Sequence, residues 1–124
     1  MKEIRAPGFV IYNDGGYDRE LAKQSVGIGW HGLLDEIFDL KEKLGNPTSI
    51  VQVKEKYGGL RVYTAVYFGE DSPYNELEKR ITDTERRSFT ICEDCGKEGK
   101  LRNGGWYRTL CDEHAGGREP ITPF

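Results

Sequence analysis

Cys92-Glu-Asp-Cys95, fifteen intervening residues and then Cys111-Asp-Glu-His114 constrain this chain more than any other feature. Four soft or borderline donors in two pairs, each pair spaced by two residues, form the pattern that a tetrahedral zinc ion requires. Each short pair makes a tight turn that aims two side chains at one point, and the segment between supplies the span. Gly96 follows the first pair, where such a knuckle often needs a positive φ. Asn103-Gly104-Gly105 can turn a hairpin between Leu101 and Trp106-Tyr107. Cys111 and His114, three apart, share one face at the start of a short helix. Knuckle, hairpin and helix predict a treble-clef or zinc-ribbon-like module over residues 89–115. With Cys92, Cys95, Cys111 and His114 all engaged, no position stays open, so one structural zinc ion is the expected cofactor.

The competing readings are reduced cysteines buried by chance and a redox pair. The second pair argues against the first, and the lack of a surrounding βαβ pattern argues against the second. A disulfide framework wants an even cysteine count in a secreted chain, and there are three. The longest apolar runs, such as Phe9 to Tyr12, are four residues. A membrane span needs about 20 and a signal-peptide h-region about 7, so a cytoplasmic protein without membrane contact is expected.

A chain of 124 residues with 36% hydrophobic and 31% charged residues has material for one modest core, which a metal would staple. The net charge of -3 argues against coating nucleic acid by bulk charge. The charge is segregated, however: residues 50–67 carry three Lys/Arg against one Glu, and residues 68–78 carry four acids and no base. The surplus of bases returns at 79–108, where Lys97, Lys100, Arg102 and Arg108 can balance the negative sum of three thiolates and one divalent ion.

Hydrophobic spacing places the elements of an α+β domain over residues 1–88. Phe9–Tyr12 reads as a short strand, Asn13-Asp14-Gly15-Gly16 as a turn, and Asp18 as the cap of a helix through about Ser25. Trp30, Leu33, Leu34, Ile37, Phe38 and Leu44 follow helical spacing over about 30–44, with Gly45 at the C-cap and Asn46-Pro47 beyond it. A second helix over about 73–88 starts at Ser72-Pro73 and turns Tyr74, Leu77, Ile81 and Thr84 inward. Residues 50–68 form a β-hairpin, and the predicted architecture is a central antiparallel sheet containing it, packed on the two helices. Residues 116–124 read as an extended or disordered tail.

Placing the hairpin turn at Gly58-Gly59 pairs Tyr57 with Leu60, Lys56 with Arg61 and Lys54 with Tyr63. Val51, Val53, Tyr57, Leu60, Val62 and Val66 then make the core face, interrupted by Glu55. The opposite face carries Lys54, Lys56, Arg61 and Tyr63. Like charges facing each other cost stability unless an acid or an anionic ligand lies between them. Exposed amides at Gly58 and Gly59 can receive a phosphate, and Tyr63 offers a ring for stacking. Either a small phosphate-bearing ligand binds Lys54, Lys56, Gly58, Gly59, Arg61 and Tyr63, or the face is solvated and the Glu70-Asp71 loop answers its charges. His31 is the one histidine outside the metal set and reads as a capping or partly exposed residue, with Asp35 and Glu36 as solvent face. No Ser-His-Asp candidate or Walker loop is present, so the protein is expected not to be an enzyme. The alternative to a ligand binder is an adaptor that holds a host protein or, less readily, nucleic acid through Arg102, Trp106, Tyr107 and Arg108.

The stretch from Ile50 through Tyr63, IVQVKEKYGGLRVY, resembles the VxQxKEKFGGLRFY segment of small proteins of phages and prophages, with Tyr57 and Val62 where phenylalanine is usual. Ser88 through His114, SFTICEDCGKEGKLRNGGWYRTLCDEH, is similar to the ending CExCGxxGxLR…GWxxTLCxxH of the same proteins, and Gly29-Trp30 fits their beginning. The resemblance covers residues 27–115. It implies a phage accessory protein with a zinc-binding end, working in the bacterial host cytoplasm. Such proteins commonly act on host pathways by binding, which includes capture of immune nucleotide signals.

Overall fold

A computed structural model describes residues 3–6, 9–12, 16–45, 48–65 and 75–121. The fold is α+β, and its strands pair two by two. Strand β1 (Glu3–Ala6) pairs antiparallel with β2 (Phe9–Tyr12), β3 (Ile50–Lys56) with β4 (Gly59–Thr64), and β5 (Lys100–Arg102) with β6 (Arg108–Leu110). Among the described residues these are three separate two-stranded sheets, which corrects the expected central sheet. The turn at Asn13–Gly15, the hairpin end at 66–68, the acidic loop at Glu70-Asp71 and the helix start at Ser72 to Tyr74 lie outside the described residues.

Helix α1 (Arg19–Gln24) begins where Asp18 accepts the Leu21 N–H at 2.8 Å, the capping role its sequence position predicts. A 3-10 turn at Ile28–Trp30 leads into α2 (His31–Leu44), which ends on Gly45 in the left-handed region at φ +60. Leu33, Leu34, Ile37, Phe38 and Leu40 of α2 are buried. Helix α3 (Asn75–Ser88) buries Leu77, Ile81, Thr84 and Ser88, again at three-four spacing. The apolar side chains among these share one cluster with Trp30, Ile50, Val53, Leu60 and Val62.

Helix α3 also satisfies the outer edge of β4, whose outward amides a two-stranded sheet leaves unpaired. Ser88 Oγ accepts the Leu60 N–H at 2.8 Å, and Glu85 Oε2 accepts the Val62 N–H at 2.9 Å. Two arginines of α3 clamp it to α2, since Arg80 and Arg87 both reach Glu36, at 3.2 and 2.8 Å. Arg19 gathers Asp35, Asp39 and Glu42 from one face of α2.

The β3–β4 register differs from the predicted one. Lys56 faces Gly59, Glu55 faces Leu60, Lys54 faces Arg61, Val53 faces Val62 and Gln52 faces Tyr63. The turn residues are Tyr57 and Gly58, at φ +54 and +84, so the loop sits one residue earlier than expected. The reason is packing. A Cβ on Gly59 would lie 2.3 Å from the Phe89 ring, so this glycine is needed for close approach, and only Gly58 serves the turn. Slipping the turn by one residue preserves the alternation of faces along the paired strands, so Val53, Leu60 and Val62 still point inward. Tyr57 does not: it is 60% exposed. A bulge between Ile50 and Gln52 turns Ile50 into the core and leaves Val51 exposed.

The chain after His114 does not simply trail away. Gly116 and Gly117 turn it at positive φ, and it runs back beside β5. The Asn103 N–H reaches the Glu119 carbonyl at 3.0 Å, and the Ile121 N–H reaches the Leu101 carbonyl at 2.8 Å. Through Ile121 the segment is therefore extended and paired.

Candidate functional site

The first ligand pair sits on a turn that its own backbone closes. The Gly96 N–H reaches the Cys92 carbonyl and the Cys92 N–H reaches the Lys97 carbonyl, both at 2.8 Å, with Gly96 at φ +82 as the knuckle predicts. Residues 27–30 seat directly on this turn. The Gly29 N–H donates to the Glu93 carbonyl at 2.9 Å, and Trp30 Nε1 donates to the Ile91 carbonyl at 2.8 Å. A Cβ on Gly29 would meet the Cys92 carbonyl oxygen at 1.9 Å, so no other residue fits there.

Cys111 opens a 3-10 turn over Asp112–His114, which brings His114 back towards it. Two buried charged groups brace this half. Arg102, 5% exposed, donates to the Leu110 and Arg118 carbonyls and to Asp112 Oδ1 at 2.8 Å. Glu93 accepts the Thr109 N–H and the Arg108 guanidinium, which also reaches Asp94. Arg102 and Arg108 thus answer acids in the two ligand turns themselves, and Lys97 lies 3.9 Å from Glu113.

Cys92, Cys95, Cys111 and His114 converge, with all four donor atoms within 4.8 Å of one another. Cys95 and Cys111 sulfurs are 3.7 Å apart, Cys92 Sγ is 3.7 Å from His114 Nδ1, and Cys111 Sγ is 3.2 Å from it. Metal–sulfur bonds of about 2.3 Å and metal–nitrogen bonds of about 2.0 Å imply tetrahedral edges of about 3.8 and 3.5 Å. These three distances match those edges within a few tenths of an ångström, and the cysteines are free, with Cys95 and Cys111 far too separated for a disulfide. The four residues can hold one metal ion, with His114 ligating through Nδ1.

The electrostatics carry the same message. Burial pushes the Cys111 thiol up, but hydrogen bonds from the His114 ring and N–H and from the neighbouring thiols outweigh it, leaving a pKa of about 7. At Cys95 the Lys97 N–H favours the thiolate, yet desolvation and the adjacent sulfurs prevail and push the thiol up. Three sulfurs this close cannot all ionise without a cation among them.

The hairpin face is organised differently from the predicted site. Lys54 stands opposite Arg61, and Lys56 stands opposite Gly59. Lys54 Nζ lies 5.8 Å from the Tyr63 ring centre, and Lys56 Nζ lies 5.7 Å from that of Tyr57. Among the described residues, Lys54, Lys56 and Arg61 have no acid in salt-bridge contact. The two glycines are not part of an exposed anion cradle. Both are buried, the Gly58 N–H donates to Glu55 at 2.6 Å, and the Gly58 carbonyl accepts the Thr109 hydroxyl at 2.7 Å. Gly58 joins the hairpin to the β5–β6 region, and Gly59 makes room for the Phe89 ring.

Of the predicted adaptor surface, Arg102 and Arg108 are engaged internally, while Trp106 is 70% exposed. His31 is partly buried, with Nε2 lacking a partner. Asp35 is held by Arg19 and Lys23 and Glu36 by Arg80 and Arg87, so both belong to the helix clamp. Sequence reasoning missed Tyr57 as an exposed ring beside Lys56. Its place one residue before a glycine in a tight turn is the signal that could have found it. No helix among the described residues is long and apolar enough to cross a membrane. Comparison with known proteins gives no match to a family model, a curated protein or a solved structure.

Proposed function

We propose that this chain is a non-enzymatic, zinc-stabilised binding protein whose basic hairpin face takes a phosphate-bearing ligand. Cys92, Cys95, Cys111 and His114 would hold the zinc, and three thiolates with one imidazole leave it no open position for chemistry. The ion then serves architecture, fixing the module against which the Gly58 turn is packed. The ligand is held by Lys54, Arg61 and Lys56, with Tyr63 beside them. The observation that carries the reading is Lys54 directly opposite Arg61 with neither, among the described residues, in a salt bridge, although Glu85 is near enough for its charge to interact with Arg61. Such a pair costs stability in the free protein and is relieved by an anion. The likeness of residues 27–115 to small phage proteins supports a setting in which the ligand is a nucleotide signal of the host. A thermal-shift panel of nucleotides and cyclic dinucleotides tests this. At least one member should raise Tm, and Lys54→Glu with Arg61→Glu should abolish the rise. No shift with any member, or a shift that survives the double substitution, contradicts the reading.

A further inference from the structure

We infer that the same face is a track for a short single-stranded oligonucleotide, its bases stacked on Tyr63 at one end and on Tyr57 and Trp106 at the other. This rests on the phosphate-binding reading above and extends it from one nucleotide to a strand. Three observations carry it. The first is length. The Gln52–Tyr63 pair and the Lys56–Gly59 pair are four residues apart along β3, which at about 3.3 Å per residue separates them by about 13 Å. Tyr57 lies beyond the second pair, so its ring and that of Tyr63 are farther apart than one base and its phosphate can bridge.

The second is the order of groups along that length. Tyr63 is followed by Lys54 and Arg61 side by side, then by Lys56, then by the Tyr57 ring. Each lysine lies near one of the two tyrosine rings, so rings and cations are interleaved. Alternation of cations with flat rings is how single strands are held without sequence preference, phosphates on the charges and bases on the rings. Among the described residues none of the three cations makes a salt bridge, and Glu85, the acid whose charge interacts with Arg61, is held by the Val62 N–H, so the face can still take an outside anion.

The third is strain. Tyr57 is the one non-glycine residue at positive φ among the described residues, in a turn position that favours Asn, Asp or Gly. A bulky ring there is disfavoured by the backbone, yet it is held out into solvent at 60% exposure. Trp106, 70% exposed, directly precedes the residue whose backbone meets this turn. A Cβ on Gly58 would lie 3.3 Å from the Tyr107 carbonyl carbon, so the two turns touch, and Arg118 Nη1 donates to the Trp106 carbonyl at 2.6 Å, bracing that loop.

The experiment is a fluorescence titration of the full metal-loaded chain with oligothymidylate of ten residues, with thymidine monophosphate and with a duplex of equal length. Trp30 is fully buried and Trp106 exposed, so quenching reports on Trp106. The strand should quench it, bind at least tenfold more tightly than the monophosphate or the duplex, and show a salt slope of about -2 for three phosphate contacts. Tyr57→Gly suits the turn better than the native residue, so it should fold with unchanged or higher Tm and lose about tenfold in strand affinity. Trp106→Ala, at an exposed position, should lose a similar factor in an anisotropy assay. If the monophosphate binds as tightly as the strand without quenching, the track is wrong and the nucleotide site survives. If neither binds, the track is overturned while the nucleotide panel above still decides the phosphate site, and equal affinity for the duplex also overturns the track.

Discussion

Residues 16–88 and residues 91–121 solve the folding problem with different materials. Among its described residues the first region gathers thirteen buried apolar side chains, from Ala22 to Ile81, in one cluster. The second has a cluster of three, Cys92, Leu110 and Cys111, of which two are candidate ligands. Its other buried groups include Arg102, Glu93 and Thr109, which demand partners and bring little hydrophobic gain. A segment of about 30 residues rarely folds on apolar burial alone. A structural zinc contributes roughly 10–16 kcal/mol at neutral pH, more than such a core can supply. The ligand turns therefore stand where a core would, and the polar network around them organises those turns.

The contrast breaks most visibly through the metal. Cys95→Ser should lose the ion and, by hydrogen exchange, release the amides of 91–121, while those of α2 and β3–β4 remain protected at lower stability. Loss of protection spread evenly over the chain would show that the two regions are one unit. A smaller effect comes from the other side. Leu34→Ala should cost about 2–5 kcal/mol in denaturant unfolding, yet the folded variant should keep the full metal content.

The smallest effect sharpens the comparison by pH. The Arg87 guanidinium, with Arg80, holds the Glu36 carboxyl below the usual carboxylate range, although burial opposes it. A depressed carboxyl contributes stability above its unfolded pKa of about 4.3 and loses it as the pH falls through the folded value. These groups are partly solvated, so Glu36→Gln should cost about 1 kcal/mol at pH 7. That gap should close below about pH 4, in titrations of 16–88 monitored at α2. A gap independent of pH would mean that the Arg80–Glu36–Arg87 clamp has no electrostatic component.

Local rules were readable wherever cause and effect lie within a few residues. The Asp18 cap, the left-handed Gly45, the stripes of α2 and α3 and the spacing of the four metal-binding candidates all belong here. Sequence alone could not separate Gly58 from Gly59, because one serves the turn and the other makes room for Phe89, thirty residues away. Nor does any local pattern show that Gly27 and Gly29 are needed to admit the Glu93 and Cys92 carbonyls of the first ligand turn. The bulge at Ile50 and Gln52, the pairing of Glu3–Ala6 with Phe9–Tyr12 and the return of 119–121 beside β5 depend on tertiary partners. The basic face was legible as a composition of side chains, but the neighbour of each cation depended on a register only packing could fix.

Native mass spectrometry of the purified chain, before and after a strong chelator, tests the central claim most directly. The account predicts a mass increment of one zinc ion per chain, lost on chelation together with the folded signature of 91–121. A chain that carries no metal and keeps the same fold after chelation would contradict it.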